Sequence, residues 1–166
     1  YHARAVESAA GLTGNYRSPQ VDKVTINPDG TIKSVTGTMK GVSQIQTLNP
    51  YETVQAETIY RQGGNSVIGL GDTTVKTAKG SWLGVKGAAF KDGAKSITVR
   101  VKSATNNAIK ICTGSETGTV VGYVDVPATG GNFAEITYGI SNISGTQDVY
   151  FIFSGEMEID SWSFSS

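Results

Sequence analysis

The sequence has 166 residues, with 14 basic and 14 acidic side chains that cancel, so it lacks the basic excess that draws nucleic acid or an anionic membrane. Its single cysteine, Cys112, excludes an intrachain disulfide, and no apolar run approaches the length of a membrane span. Hydrophobic residues make up only 38%, yet 21 glycines amid abundant Ser and Thr suit a turn-rich β protein of one domain, or of one domain with an attached piece.

The start at Tyr1, without Met or a signal peptide, reads as that of a region excised from something longer. The one stretch of helical character is "ARAVESAAGL", whose alanines stop at Gly11 and Gly14. "INPDGTIKSV" places a Pro-Asp-Gly turn between two strand-like runs, which predicts a hairpin. A boundary is expected at Leu48 to Tyr51, because the Asn-Pro step favours an extended break. Residues 1–48 are too few to close a β architecture, whereas residues 49–166 are the right size for a β-sandwich.

"VQAETIYRQGG" then reads as a strand, which would send Gln55 and Glu57 to one face. They are either ordinary solvent-facing residues or half of an oxygen cage for a metal ion. In "KSITVRVKS" Ile97, Val99 and Val101 point one way, and Thr98, Arg100 and Lys102 the other. Cys112, among the apolar residues of "AIKICTG", reads as packed rather than reactive, since a reactive thiol needs an activating neighbour. "PATGG" and "SNISGTQD" are loops by composition. "DVYFIFSG" is apolar on both faces, as a central strand covered from both sides would be.

Catalysis finds little support. Glycoside hydrolysis needs two carboxylates roughly 5–10 Å apart, and "GEMEID" offers Glu156, Glu158 and Asp160. Carboxylates clustered on a terminal strand are more often solvated or metal-bound. The sole histidine, His2, sits at the terminus, so no Ser-His-Asp arrangement is credible.

Several dispersed stretches together resemble a family 6 carbohydrate-binding module: "VQAE" at 54–57, "GSWLGV" at 80–85, "ITVRVKSA" at 97–104, "TGTVVGYVDVPATGG" at 117–131, "VYFIFSG" at 149–155 and "EIDSWSF" at 158–164. The resemblance implies an all-β jelly roll of two packed sheets for residues 49–166. Residues 1–48, through "YH" at 1–2 and "YRSPQVDKVTINPDGTIKSVTGTMKGV" at 16–42, resemble the last blade of the five-bladed propeller of family 43 glycoside hydrolases, the arabinofuranosidase and xylosidase group. That likeness implies a hairpin-rich propeller remnant in which His2 and Arg17 match active-site positions but are stranded without their partners. The catalytic carboxylates would lie in blades this chain lacks, so no turnover is expected of it.

The resemblance also implies residue roles. In the family, a Gln/Glu-x-Glu pair of the first strand and an Asp of the last hold a structural calcium. The matching positions are Gln55, Glu57 and Asp160, and oxygen ligands of these types suit that ion. Sugars are commonly held between two aromatic rings in a loop cleft. A tryptophan just after "TGG" gives way here to Asn132 and Phe133, and an asparagine two residues before the last-strand Asp gives way to Glu158. The second ring is expected within residues 62–77, which contain no aromatic residue. Trp82 matches a family aromatic position and is either core or ligand platform, whereas Trp162 reads as packed. Some family members bind instead on a second, concave sheet face.

The expected function is therefore noncatalytic binding of xylan or arabinoxylan, tethering an attached hydrolase to extracellular plant polysaccharide. The rival is a jelly roll whose sugar site is lost and which packs against the propeller to stabilise it. The shortness of "SQIQTLNPYET" as a linker favours the rival.

Overall fold

The structure, a computed structural model, describes residues 11, 21–38, 42, 46–66 and 73–166. The helix expected at "ARAVESAAGL", apart from Gly11, and the residues His2 and Arg17 lie outside them. The chain divides into two compact units between residues 45 and 46.

In the first unit the predicted hairpin is present. Ile26 bridges Ile32, and the Asn27 N–H donates to the Thr31 carbonyl at 2.8 Å. The Asp29 carboxylate accepts from the Thr31 N–H and hydroxyl, and these two bonds hold it below the usual carboxylate range. Gly30 supplies the positive φ of 83° that the turn requires.

Among its described residues the second unit has ten strands in two antiparallel sheets: β1 (Val54–Gln55), β2 (Arg61–Gly63), β3 (Val75–Lys76), β4 (Trp82–Ala89), β5 (Ala94–Lys102), β6 (Asn107–Thr113), β7 (Thr119–Val126), β8 (Ala134–Ile143), β9 (Thr146–Phe153) and β10 (Glu158–Ser165). One sheet runs β1-β10-β5-β8, with β3 joined to the same edge of β10 as β1; the other runs β2-β4-β9-β6-β7. Leu48, which the expected boundary leaves with the first segment, is bridged to Ala88 in the second unit.

Alternation builds the core between the sheets. Ile97, Val99 and Val101 of β5 are buried as their period-2 pattern predicts, and Ile159, Trp162 and Phe164 of β10 join them. Leu83 and Val85 of β4, Ile109 and Ile111 of β6, and Val149, Phe151 and Phe153 of β9 face them from the other sheet. Trp162 is 4% exposed, its ring 5.3 Å from Phe151 and 5.6 Å from Phe164. It is packed, as the sequence suggested. Cys112 is buried too, and burial pushes its thiol pKa up.

Two expectations of local structure are corrected. "SNISGTQD" is not a loop: β8 continues to Ile143 and β9 begins at Thr146, leaving a tight turn at Ser144 and Gly145, the latter with φ 69°. The polar residues there belong to a strand with one face in solvent. The strand beginning at Val54 also stops at Gln55. The Thr58 N–H donates back to the Gln55 carbonyl at 3.0 Å and the Ile59 N–H to that of Glu57 at 2.9 Å, so Glu57 stands in a turn. Strand alternation therefore does not decide where its side chain points.

Candidate carbohydrate site

Strand register assembles the first candidate site. Glu158, the first residue of β10, lies opposite Lys76 of β3 on one side and Lys102 of β5 on the other. Lys102 Nζ reaches Glu158 Oε2 at 2.7 Å, and Thr74 Oγ1 donates to Glu158 Oε1 at 2.8 Å. The Lys102 and Thr74 hydrogen bonds hold the Glu158 carboxyl below its ordinary range, against a smaller opposing effect of burial. It is an anion at neutral pH. Lys102 Nζ also stands 4.8 Å from the centre of the half-buried Phe133 ring, and the Arg100 guanidinium stands 4.9 Å from it.

Beside this group opens a cleft of about 560 Å³, whose lining includes Asn65, Lys76, Lys102, Gly131, Glu156 and Glu158. Gly130 and Gly131 of the "TGG" turn have φ of 63° and 83°. The turn is pinned through Thr129, whose N–H donates to the Ser103 carbonyl at 2.8 Å and whose hydroxyl accepts the Ser103 N–H at 3.1 Å. Of the carboxylates singled out in the sequence, Glu156 and Glu158 line the cleft, and Lys102 links Glu158 to Phe133. Asn132 is exposed on the turn, its N–H directed at the Thr129 carbonyl at 3.3 Å.

Trp82 is elsewhere. It begins β4 in the other sheet, half-buried, with its ring 5.7 Å from that of Tyr150. Tyr60 meets Tyr150 edge-on at 6.4 Å, and their hydroxyls are hydrogen-bonded. Burial, followed by the Tyr60 hydroxyl, pushes the Tyr150 phenol up to about 12. Gly63 and Gly84 make room for this group, since a Cβ at either would stand 2.4 Å from Trp82 or 2.9 Å from Tyr150. Trp82, Ile152, Lys110 and Tyr123 form one row across β4, β9, β6 and β7, and Tyr123 is 55% exposed. Sequence reading missed Lys102, Lys76 and Tyr60 as site residues. The outward position of Lys102 in "ITVRVKS" was the one available signal.

The three oxygen-bearing residues are near one another along the backbone of β1, its following turn and β10. Gln55 is exposed and lies opposite Ser161, and the Ala56 N–H donates to the Asp160 carbonyl at 2.9 Å. Asp160 is the extra residue of a β-bulge between Ile159 and Ser161. Its Oδ2 takes Arg100 Nη1 at 2.9 Å and the Ser161 hydroxyl at 3.0 Å. Glu57 Oε2 is buried with no hydrogen-bond partner among the described residues. An orphaned buried carboxylate oxygen is costly, and a cation would satisfy it. Among the described residues no three His, Cys, Asp or Glu side chains gather as a metal site. Any ion here would draw on the Gln55 amide and on carbonyls as well.

In sequence the chain is similar to an arabinoxylan arabinofuranohydrolase of Paenibacillus polymyxa, 34% identical over 99% of this chain but only 29% of the relative. The crystal structure of a glycoside hydrolase family 43 arabinoxylan arabinofuranohydrolase from Bacillus subtilis, in complex with cellotetraose, superposes with a TM-score of 0.78 at 33% identity, covering 87% of this chain and 33% of that one. A family 6 module from Clostridium stercorarium in complex with cellobiose gives 0.68 at 28% identity, covering 74% of this chain and 99% of the module. The chain thus spans about a third of the hydrolases it matches. The family model for carbohydrate-binding module family 6 matches residues 46–166, and this chain belongs to that family, a noncatalytic binding module with a jelly-roll fold whose ligands are carbohydrates.

Proposed function

We propose that the chain binds xylan-type polysaccharide, arabinoxylan foremost, and holds an attached family 43 hydrolase against that substrate outside the cell. The observation that carries this reading is the open cleft beside the "TGG" turn, with Glu158, Lys76 and Lys102 in its lining. Charged and planar groups there can meet sugar hydroxyls, and the neighbouring Phe133 offers an apolar surface. The arabinoxylan target comes from the names of the relatives. A tethered module raises the local concentration of substrate at the catalytic domain without taking part in the chemistry.

Gln55, Glu57 and Asp160 would hold a structural calcium. The unpartnered Oε2 of Glu57 supports the assignment, as does the chemistry of the set, since calcium accepts carboxylate, amide and carbonyl oxygens together. Held there, the ion would clasp the turn after β1 to the bulge of β10. The Arg100–Asp160 ion pair at 2.9 Å would then share the Asp160 carboxylate with it.

One observation favours a second reading, a module that has lost its sugar site and serves the stability of the hydrolase. Phe133 is flanked by two cations, and Glu158 is tied into an ion pair. Calorimetric titration with xylohexaose and with arabinoxylan oligosaccharides, in calcium and then in chelator, separates the two. Saturable heat that weakens in chelator supports binding and the ion. No heat with any sugar, from protein shown to be folded, leaves the structural role.

A further inference from the structure

A second, smaller pocket of about 390 Å³ opens at the edge of the sandwich between β7 and β8, lined by Asn106, Asn107, Asp125, Val126, Pro127 and Tyr138. Its size is at the lower end for small-ligand sites, which run from ~300 to 1,000 Å³. Tyr138 and Pro127 give it apolar surface, and Asp125 and Asn106 add planar polar groups with unspent hydrogen-bonding capacity, whereas the Asn107 amide is engaged by Ser103, Thr105, Ser154 and Glu156. The Tyr138 hydroxyl donates to Asp125 Oδ2 at 3.3 Å. Asp125 Oδ1 has no partner among the described residues. Asn106 Oδ1 accepts the Ala128 N–H at 3.0 Å, which anchors the side chain while its own N–H groups meet no acceptor among the described residues. A ring face beside fixed planar donors and acceptors is the combination that recognises a sugar, whose C–H faces are apolar and whose hydroxyls come in adjacent pairs.

The pocket is also joined to the larger cleft. The loop from Pro127 to Phe133 puts Pro127 in the small pocket and Gly131 in the cleft. Asn107 lines the small pocket, and its Nδ2 reaches Ser103 Oγ at 2.9 Å and the Glu156 carbonyl at 3.1 Å, both belonging to cleft-lining residues. Thr129, bonded to Ser103 in both directions, makes the loop a fixed ridge between the two hollows.

We infer that the pocket framed by Asn106, Asp125, Pro127 and Tyr138 is a second carbohydrate subsite, which receives a side branch of the polysaccharide whose main chain occupies the cleft across the Thr129 ridge. The inference rests on the carbohydrate reading of the cleft proposed above. The ligand class assigned to it is a pentose branch, with its hydroxyls on Asp125 and Asn106 and a C–H face on Tyr138.

The test is calorimetry of the whole chain and of Asp125→Ala with two probes, linear xylohexaose and the same oligosaccharide bearing one arabinofuranosyl branch. The branched probe is expected to bind about tenfold more tightly, the scale of one charged hydrogen bond. Asp125→Ala should return it to the affinity of the linear probe while leaving the linear probe unchanged. Asp125 is exposed at the pocket rim, and a thermal melt checks that the variant folds. Independently of any variant, the Asn106 side-chain amide resonances should move with the branched probe alone. Equal affinity for both probes in the native protein, or equal losses for both in Asp125→Ala, overturns the subsite while sparing the cleft. Failure of both probes to bind overturns the cleft reading and the subsite with it.

Discussion

Replacing Lys102 with Met keeps the unbranched stem against its neighbours but removes the charge that meets Glu158 Oε2 at 2.7 Å and the Phe133 ring at 4.8 Å. Both partners are partly exposed, 33% for the lysine side chain and 22% for the glutamate, so the ion pair contributes about 1 kcal/mol. The contact with the ring adds ~0.5 kcal/mol. Together these correspond to a fall in Tm of roughly 5 °C for a domain of this size. The pH dependence carries the reasoning further. Glu158 has a lower pKa folded than unfolded, so its stabilising effect is complete above the ordinary glutamate pKa. It is lost as pH falls through the lower folded value. Thermal melts of both proteins should therefore differ at about pH 7, and the difference should shrink to the small ring contribution by about pH 2. A gap of unchanged size in acid, or no gap at neutrality, would refute the account of Glu158 as an anion held by Lys102.

Glu57→Gln should abolish calcium-dependent stabilisation measured by calorimetric melting. In the native protein, calcium at a hundredfold excess over Kd should add about 2.7 kcal/mol, and an equal gain in the variant would remove Glu57 from the site. Trp162→Ala, which empties space between Phe151 and Phe164, should cost about 3–5 kcal/mol in denaturant unfolding; a loss below about 1 kcal/mol would contradict its place in the core. In a spectrophotometric titration of the seven tyrosines, one group should ionise only near pH 12, as burial and Tyr60 require of Tyr150. That step should move to lower pH in Tyr60→Phe. Stability linked to Tyr150 should be complete below the ordinary phenol range and fade as pH rises through the folded value.

Local pattern made much of the fold legible. Ile97, Val99 and Val101 announced their own strand and its buried face, and Pro28, Asp29 and Gly30 announced the hairpin, because both signals are complete within a few residues. What pairs with what was not legible. Glu158 meets Lys76 and Lys102 through the registers of two separate strands, and no local pattern encodes a register between distant segments. The turn at Glu57 escaped for a related reason. "VQAET" has strand composition, yet β10 offers its ladder only to Val54 and Gln55 before the bulge at Asp160. The Tyr60–Tyr150 hydroxyl pair likewise depends on tertiary approach, and each residue alone reads as an ordinary strand aromatic.

The position of β10 has a consequence for how the molecule is made. The last of the described strands in chain order, it nonetheless lies in the interior of its sheet, with β1 and β3 along one side and β5 along the other. A ribosome that has released everything up to β9 has produced a sheet with its middle missing, so β1 and β3 have nothing to pair with and the Ile97–Val101 face lacks its neighbour. Stability must then arrive late and nearly all at once, when residues 158–165 emerge. Contacts that span most of the sequence also make for slow closure. During that interval the open edges of β5 and β1 are the surfaces most exposed to association with other chains.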